Sequence, residues 1–129
     1  MTSLIFDPFM GASGDMIIAA LIDLGADQSH IKDVMESAAP VGVKIGRTTK
    51  KGIAATSVSV TPEDSTVRTY PEIVAGIRSS ELPDQIIKDA TAIFDSIASA
   101  ESAVHNLPED RLHFHEIGQA DAIADVVGA

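Results

Sequence analysis

The chain contains no cysteine. That removes disulfides, thiolate metal sites and thiol nucleophiles together. Basic residues are scarce as well, 9 against 19 acidic ones, for a net charge of −10. A surface of that sign repels nucleic acid phosphates and anionic lipid, so neither is an expected partner. It favours cations, or anions only where a local N–H-rich or basic pocket overrides the wider field. The longest apolar run, Met16–Ile22, is far too short to cross a bilayer. The opening M-T-S-L-I-F-D lacks a basic region and meets an acid at Asp7, unlike a signal peptide, so the expected location is cytoplasmic.

What is present describes a globular chain. With 129 residues, 45% of them hydrophobic and 22% charged, it has enough material for one domain with one core. Leu4–Phe6 reads as a short buried strand. A helix follows from about Ser13 to Leu24, with Ile17, Ala20, Leu21 and Leu24 on one face. Asp27 can cap a second helix striped by Ile31, Val34, Met35 and Ala38. Residues 42–61 alternate around Lys51-Gly52, the pattern of a β-hairpin. Thr69-Tyr70-Pro71-Glu72 fits a capping box ahead of Ile73 and Ile77. The longest helix spans roughly residues 84–105, its stripe formed by Ile86, Ala90, Ile93, Phe94, Ile97 and Val104. Arg111–Glu116 looks extended, and residues 120–127 look helical. The order βααββααβα predicts an α+β or α/β layered domain, a small sheet including the hairpin packed with about five helices. The last apolar face (Ile123, Val126, Val127) stops at Gly128-Ala129, so either Gly128 ends an ordinary helix or the chain is part of a longer protein. Exposed apolar surface on so short a helix would favour self-association.

Chemistry is concentrated at two junctions. His113–Asp125 reads H-F-H-E-I-G-Q-A-D-A-I-A-D. On a strand His113 and His115 share one face, with Cα atoms about 6.6 Å apart, and Phe114 points to the other. Two imidazoles so placed suit one cation or one anionic ligand; alternatively they are a solvated strand edge. Asp121 and Asp125 are an i, i+4 pair, where like charges cost about 0.2–0.5 kcal/mol. Asp121 suits a helix N-terminus, whereas Asp125 lies a turn deeper among apolar residues. A bound cation would turn their repulsion into a shared ligand set, with Glu116 as a further ligand or a proton acceptor. Imidazole and carboxylate without thiolate suit Ni, Zn, Mn or Fe(II). The spacing is not that of an H-E-x-x-H protease.

The second junction is Asp7–Asp15, D-P-F-M-G-A-S-G-D. Gly11, Ser13 and Gly14 could cradle a phosphate at a helix N-terminus, or form a tight turn with Ser13 as N-cap and Asp15 complementing the helix dipole. Asp7, after the first strand, is either a ligand-contacting group or a turn-forming Asp-Pro. His30 and His105 read as structural or solvated, and Lys50-Lys51 as a solvated hairpin tip.

These segments, F-D-P-F-M-G-A-S-G-D-M (6–16), K-K-G-I (50–53), R-T-Y-P-E-I (68–73) and H-F-H-E-I-G-Q-A-D-A-I-A-D-V-V-G-A (113–129), resemble in the same order the N-terminal part of the LarC family. That family comprises the nickel-insertion proteins of nickel-pincer cofactor synthesis. The resemblance implies insertion of Ni²⁺ into pyridinium bisthiocarboxylic acid mononucleotide, a cyclometallation classed with the lyases that uses CTP with Mg²⁺ or Mn²⁺. Its product serves lactate racemase and related enzymes. Family members continue past the position of Ala129 into a C-terminal region associated with CTP. Many carry a histidine-rich stretch where Pro62–Val67 here has none. Taken with the residues, the resemblance implies that His113, His115, Asp121, Asp125 and Asp7 meet the metal. Glu116 then acts as general base, with Asp15 beside it among the catalytic residues, and Gly11, Ser13 and Gly14 hold the mononucleotide. The alternatives are a nickel- or mononucleotide-binding module without catalysis of its own, and a metal-dependent phosphoester hydrolase.

Overall fold

Five α-helices and one antiparallel hairpin make up the regular structure among the described residues of the computed structural model, which are 3–112, 114 and 117–129. The chain runs α1 (Gly14–Asp23), α2 (Gln28–Ala38), β1 (Val41–Lys50), β2 (Ile53–Pro62), α3 (Tyr70–Ser79) and α4 (Asp84–His105). A 3₁₀ turn (Glu109–Arg111) then leads to α5 (Ala120–Gly128). This is the expected small α+β domain.

Local chemistry sets most of the boundaries. Asp27 Oδ1 accepts from the backbone N–H groups of Ser29 and His30 at 2.9 and 3.1 Å, capping α2. The Thr69 backbone N–H donates to Glu72 Oε2 at 2.7 Å, part of the capping box that starts α3. Asn106 ends α4 in the left-handed conformation at φ 51°. Lys51 and Gly52 both have positive φ, 51° and 82°. That is what a two-residue hairpin turn between right-twisted strands requires. The ladder runs from Val41 opposite Pro62 to Lys50 opposite Ile53.

Val41 and Val43 of β1 and Val58 of β2 bury one face of the hairpin beneath the helices. Phe94, Ile18, Met35, Ile73 and Ile77 are the largest fully buried side chains. The last helix, expected to bury little, is instead central. It packs against α1, α2, α4 and both strands, and it buries Ala120, Ile123, Ala124 and Val127. Each of its two large aliphatics is worth roughly 1.5–3 kcal/mol of burial, so α5 is held by tertiary contact rather than by its length. Its apolar face is consequently not the exposed surface anticipated for self-association.

Three other expectations are corrected. Leu4–Phe6 forms no strand and is exposed, Ile5 by 87%; an extended segment becomes a strand only beside an edge that takes its amides, and the two hairpin strands pair only with each other. In α1 the buried pair is Ile18 and Ala19, while Leu24 is 73% exposed. M-I-I-A-A-L-I is apolar nearly all round, so periodicity could not choose a face. In α4 Thr91 and Ala98 join Ala90 and Phe94 inside, whereas Ile93, off that face, and Val104, in the last turn, are exposed. As for Arg111–Glu116, Arg111 closes the 3₁₀ turn, and Leu112 and Phe114 are buried without strand pairing. His113, His115 and Glu116 lie outside the described residues.

Candidate functional site

The two chemistry-bearing segments meet at the start of α1. Gly14 is its first residue, and Asp125 of α5 lies directly over it. A Cβ on Gly14 would sit 2.6 Å from both Cγ and Oδ2 of Asp125. Only a residue without a side chain lets the two helices approach this closely. The Asp15 backbone N–H donates to the Asp125 carboxylate, so one helix-terminal amide is answered from another helix.

Asp125 is the electrostatic focus. Burial pushes its carboxyl up to about 6, and the charges of Asp15 and then Asp121 push the same way. Its Oδ1 is buried with no hydrogen-bond partner. An ionised oxygen in that state is expensive, and the two responses open to it are a proton or a cation. Asp121 is half-buried in the first turn of α5, and its Oδ1 accepts from the Ala122 N–H at 2.9 Å. Asp15 accepts from Ser13 Oγ and, at 2.8 Å, from the Met16 N–H. Ser13 therefore stands at the N-cap position, but its hydroxyl donates to Asp15 rather than accepting from the helix.

The sequence left open whether its two motifs converge. The geometry brings Gly14, Asp15, Asp121 and Asp125 together. Asp7 and Gly11 line a separate shallow cavity of about 260 Å³ with Phe6, Ala12, Met16 and Ile17. The Gly11 N–H donates to the Pro8 carbonyl at 2.9 Å, closing the turn between Asp7 and α1. A larger apolar groove of about 390 Å³ runs between α2, α4 and the end of α5, lined by Val34, Ile86, Ile93 and Val127 with His30 and Asp89. No acidic residue of the Asp15–Asp121–Asp125 group lines it. Among the described residues, no three His, Asp or Glu side chains come together closely enough to hold a metal ion. The three aspartates form a zone of negative potential rather than a finished ligand set.

A second constellation holds Phe114 and Gly118. Phe114 is 3% exposed, and its ring packs in a T-shaped arrangement with that of Tyr70, centroids 6.2 Å apart and planes at 76°. Tyr70 Oη donates to Asp95 Oδ1 of α4 at 2.7 Å, and this bond together with burial raises its phenol to about 12. The Arg68 N–H donates to the Gly118 carbonyl at 2.9 Å, and the Gly118 N–H donates to the Phe114 carbonyl at 3.1 Å. A Cβ on Gly118 would lie 2.5 Å from the Arg68 carbonyl oxygen. The Arg68 guanidinium is itself tied to Asp64 at 2.8 Å, which holds the Asp64 carboxyl below its usual range. Sequence reasoning recognised the capping box in this stretch but not these contacts, because nothing in a single sequence announces a ring contact across 44 positions.

Residues 4–129 match the model of the family described as nickel insertion protein. The chain belongs to the nickel insertion protein family. Relatives named for nickel insertion include those of Methanosarcina mazei, 50% identical over 131 residues, and Methanococcoides burtonii, 47% identical over 130. Each alignment covers all of this chain and 33% of the relative. A relative from Thermomicrobium roseum is 40% identical over 95% of this chain and 31% of its own length. The chain thus spans about a third of the length of the curated relatives it matches. No solved structure matches it. No helix among the described residues is long and apolar enough to cross a membrane.

Proposed function

We propose that this chain is the part of a nickel-inserting enzyme that receives Ni²⁺ and presents it to a pyridinium bisthiocarboxylic acid mononucleotide for cyclometallation. The observation that carries the reading is the unpartnered, buried Oδ1 of Asp125, set between the charges of Asp15 and Asp121 in a member of the nickel insertion family. Nickel here is the cargo of the reaction. His113 and His115 supply nitrogen donors, and Asp121, Asp125 and Asp7 supply oxygen donors along its path. The three aspartates alone do not close a ligand set, which suits an ion that must be handed on.

The proton balance falls to the carboxylates. Forming the carbon–nickel bond displaces a proton from the pyridinium ring. Glu116 takes it as general base, with Asp15 holding the neighbouring charge. Gly11, Ser13 and Gly14 form the turn that meets the phosphate. In the absence of a cation the first amides of α1 are already answered by carboxylates, at Asp15 by Asp125 and at Met16 by Asp15. A cation on those carboxylates frees the amides for an anion, so metal and mononucleotide bind in that order. CTP with Mg²⁺ or Mn²⁺ is assigned to the region that extends the relatives beyond the matched third, and turnover requires both parts. That division favours, as a second reading, a binding module that delivers nickel to a catalytic domain.

The test is calorimetric titration of nickel, with zinc and magnesium for comparison, into the chain and into its His113→Ala/His115→Ala and Asp125→Asn variants. The reading expects nickel binding that the double histidine substitution abolishes and that Asp125→Asn weakens. Nickel binding unchanged in both variants would remove the metal from this site. Full insertion activity of a Glu116→Gln variant in the full-length protein would remove the general-base role.

A further inference from the structure

Apolar surface left open to solvent is concentrated at residues 4–16, and the chemistry above uses only the polar and small members of that stretch. Half of the large hydrophobics exposed among the described residues fall there: Leu4, Ile5, Phe6, Phe9, Met10 and Met16. Phe9 and Met10 are 86% and 83% exposed. A soluble surface shows single apolar residues scattered among polar ones, whereas a run of this kind marks an interaction site. Phe6 and Met16, from opposite parts of the stretch, line one shallow cavity with Ile17 and Ala20, so they share a face. The backbone is unanswered as well. Among the described residues, the N–H and C=O groups of Leu4, Ile5 and Phe6 have no hydrogen-bond partner, and the two hairpin strands pair only with each other. Leu4–Phe6 thus combines the composition of a strand with open side chains and an unpaired backbone, the state of a strand whose neighbour lies elsewhere.

We propose that Leu4–Phe6 is one strand of a sheet completed by the rest of the full-length protein, which docks on the face formed by Phe6, Phe9, Met10 and Met16. Length favours this occupant. The matched relatives are covered over only 33% of their length, so most of a full-length protein is available to cover the face. Charge disfavours the rivals. Two copies of a chain of net charge −10 repel each other, and an anionic lipid surface repels the chain in the same way. An added strand supplies main-chain partners to Leu4–Phe6, while apolar side chains around it give the contact its selectivity. Phe9 and Met10 are held out for that contact by the turn that the Gly11 N–H closes on the Pro8 carbonyl at 2.9 Å. Asp7 lines the same cavity as Phe6 and Met16, so the docked part stands beside a residue of the candidate site. None of this depends on the nickel reading.

The experiment follows hydrogen–deuterium exchange in this chain alone and in the full-length protein, each as parent and as Ile5→Asp. In the chain alone the amides of residues 4–6 should exchange at the unprotected rate at every protein concentration. In the full-length protein they should slow by about a hundredfold or more. Ile5→Asp should leave the melting temperature of the chain alone within about 2 °C, because a side chain 87% exposed has little to lose. In the full-length protein the same substitution should return residues 4–6 to fast exchange while the amides of α4 keep parental protection. Equal exchange of residues 4–6 in the two parent proteins would overturn the proposal. Protection in the chain alone that grows with its concentration would overturn it too, by assigning the face to a second copy. Parental protection of residues 4–6 in full-length Ile5→Asp would deny that this segment is the docked strand.

Discussion

Replacing Asp125 by Asn should stabilise the protein at neutral pH. The rise of its carboxyl from 3.8 to about 6 amounts to roughly 3 kcal/mol at about 1.4 kcal/mol per unit. Asp125 is only half-buried, so water screens part of the field, and a gain of about 1–2 kcal/mol is the figure to expect. Asn keeps an acceptor for the Asp15 N–H and removes the charge that burial, Asp15 and Asp121 oppose. The sign follows from linkage. The folded-state value lies above the unfolded one, so between 3.8 and about 6 the native state binds more protons than the unfolded state. The penalty is complete above about pH 7 and fades as the pH falls through 6 toward 4. Urea unfolding of both proteins from pH 4.5 to 8 measures it: the advantage of Asp125→Asn should be largest at pH 8 and shrink steadily on acidification. An advantage that is absent at pH 8, or independent of pH, would show that Oδ1 is satisfied and that the electrostatic argument for a cation fails. Nickel adds a second readout at pH 7.5, where it should raise the stability of the parent more than that of the variant.

Three further substitutions probe single contacts elsewhere in the fold. Gly14→Ala gains up to about 1 kcal/mol of helix propensity but drives a Cβ to 2.6 Å from Asp125, an overpacking of about 1–3 kcal/mol, so thermal unfolding should show net loss. The same substitution in an Asp125→Gly background should cost less, and equal costs in the two backgrounds would deny the contact. The Thr91 hydroxyl is buried without a partner, so Thr91→Val, which matches its shape, should stabilise by about 1 kcal/mol in chemical denaturation. Thr69→Ala removes one half of the capping box of α3 and should cost about 1 kcal/mol, read as a lower urea midpoint.

Where the sequence carried its own punctuation, the structure could be read from it. Asp27, the Thr69–Glu72 box and the Lys51-Gly52 turn each act on neighbouring backbone, and each marks the boundary expected of it. The failures share one cause, which is that burial is decided by partners remote in sequence. Leu4–Phe6 has the composition of a strand but pairs with neither strand of the hairpin, and α1 is too uniformly apolar to declare a face. The helix expected to be marginal became the centre of the core because its small residues, Ala120 and Ala124, let it nest among five other elements. The site was legible as two lists of residues, and Asp125 stood out as an acid set too deep among apolar neighbours. That it would close on Gly14 was not legible, since a glycine at a helix start usually signals only a turn.

The position of Asp125 bears on the choice between a structural and a metal-handling site. A carboxylate kept for packing would be expected to gather neutral or positive donors, as Asp27 Oδ1 accepts from two amides and Asp23 Oδ1 from Arg47 and Thr56. Asp125 finds one amide and two like charges, in a helix whose other inward residues are aliphatic. Nothing about stability favours that arrangement, because an amide in its place would satisfy the Asp15 N–H equally well. A divalent cation would change the balance: it would supply the missing partner of Oδ1 and offset the repulsion that Asp125 meets from Asp15 and Asp121. The destabilisation measured at pH 8 and the stabilisation by nickel are therefore two views of one quantity, and they should rise and fall together across variants of Asp15, Asp121 and Asp125.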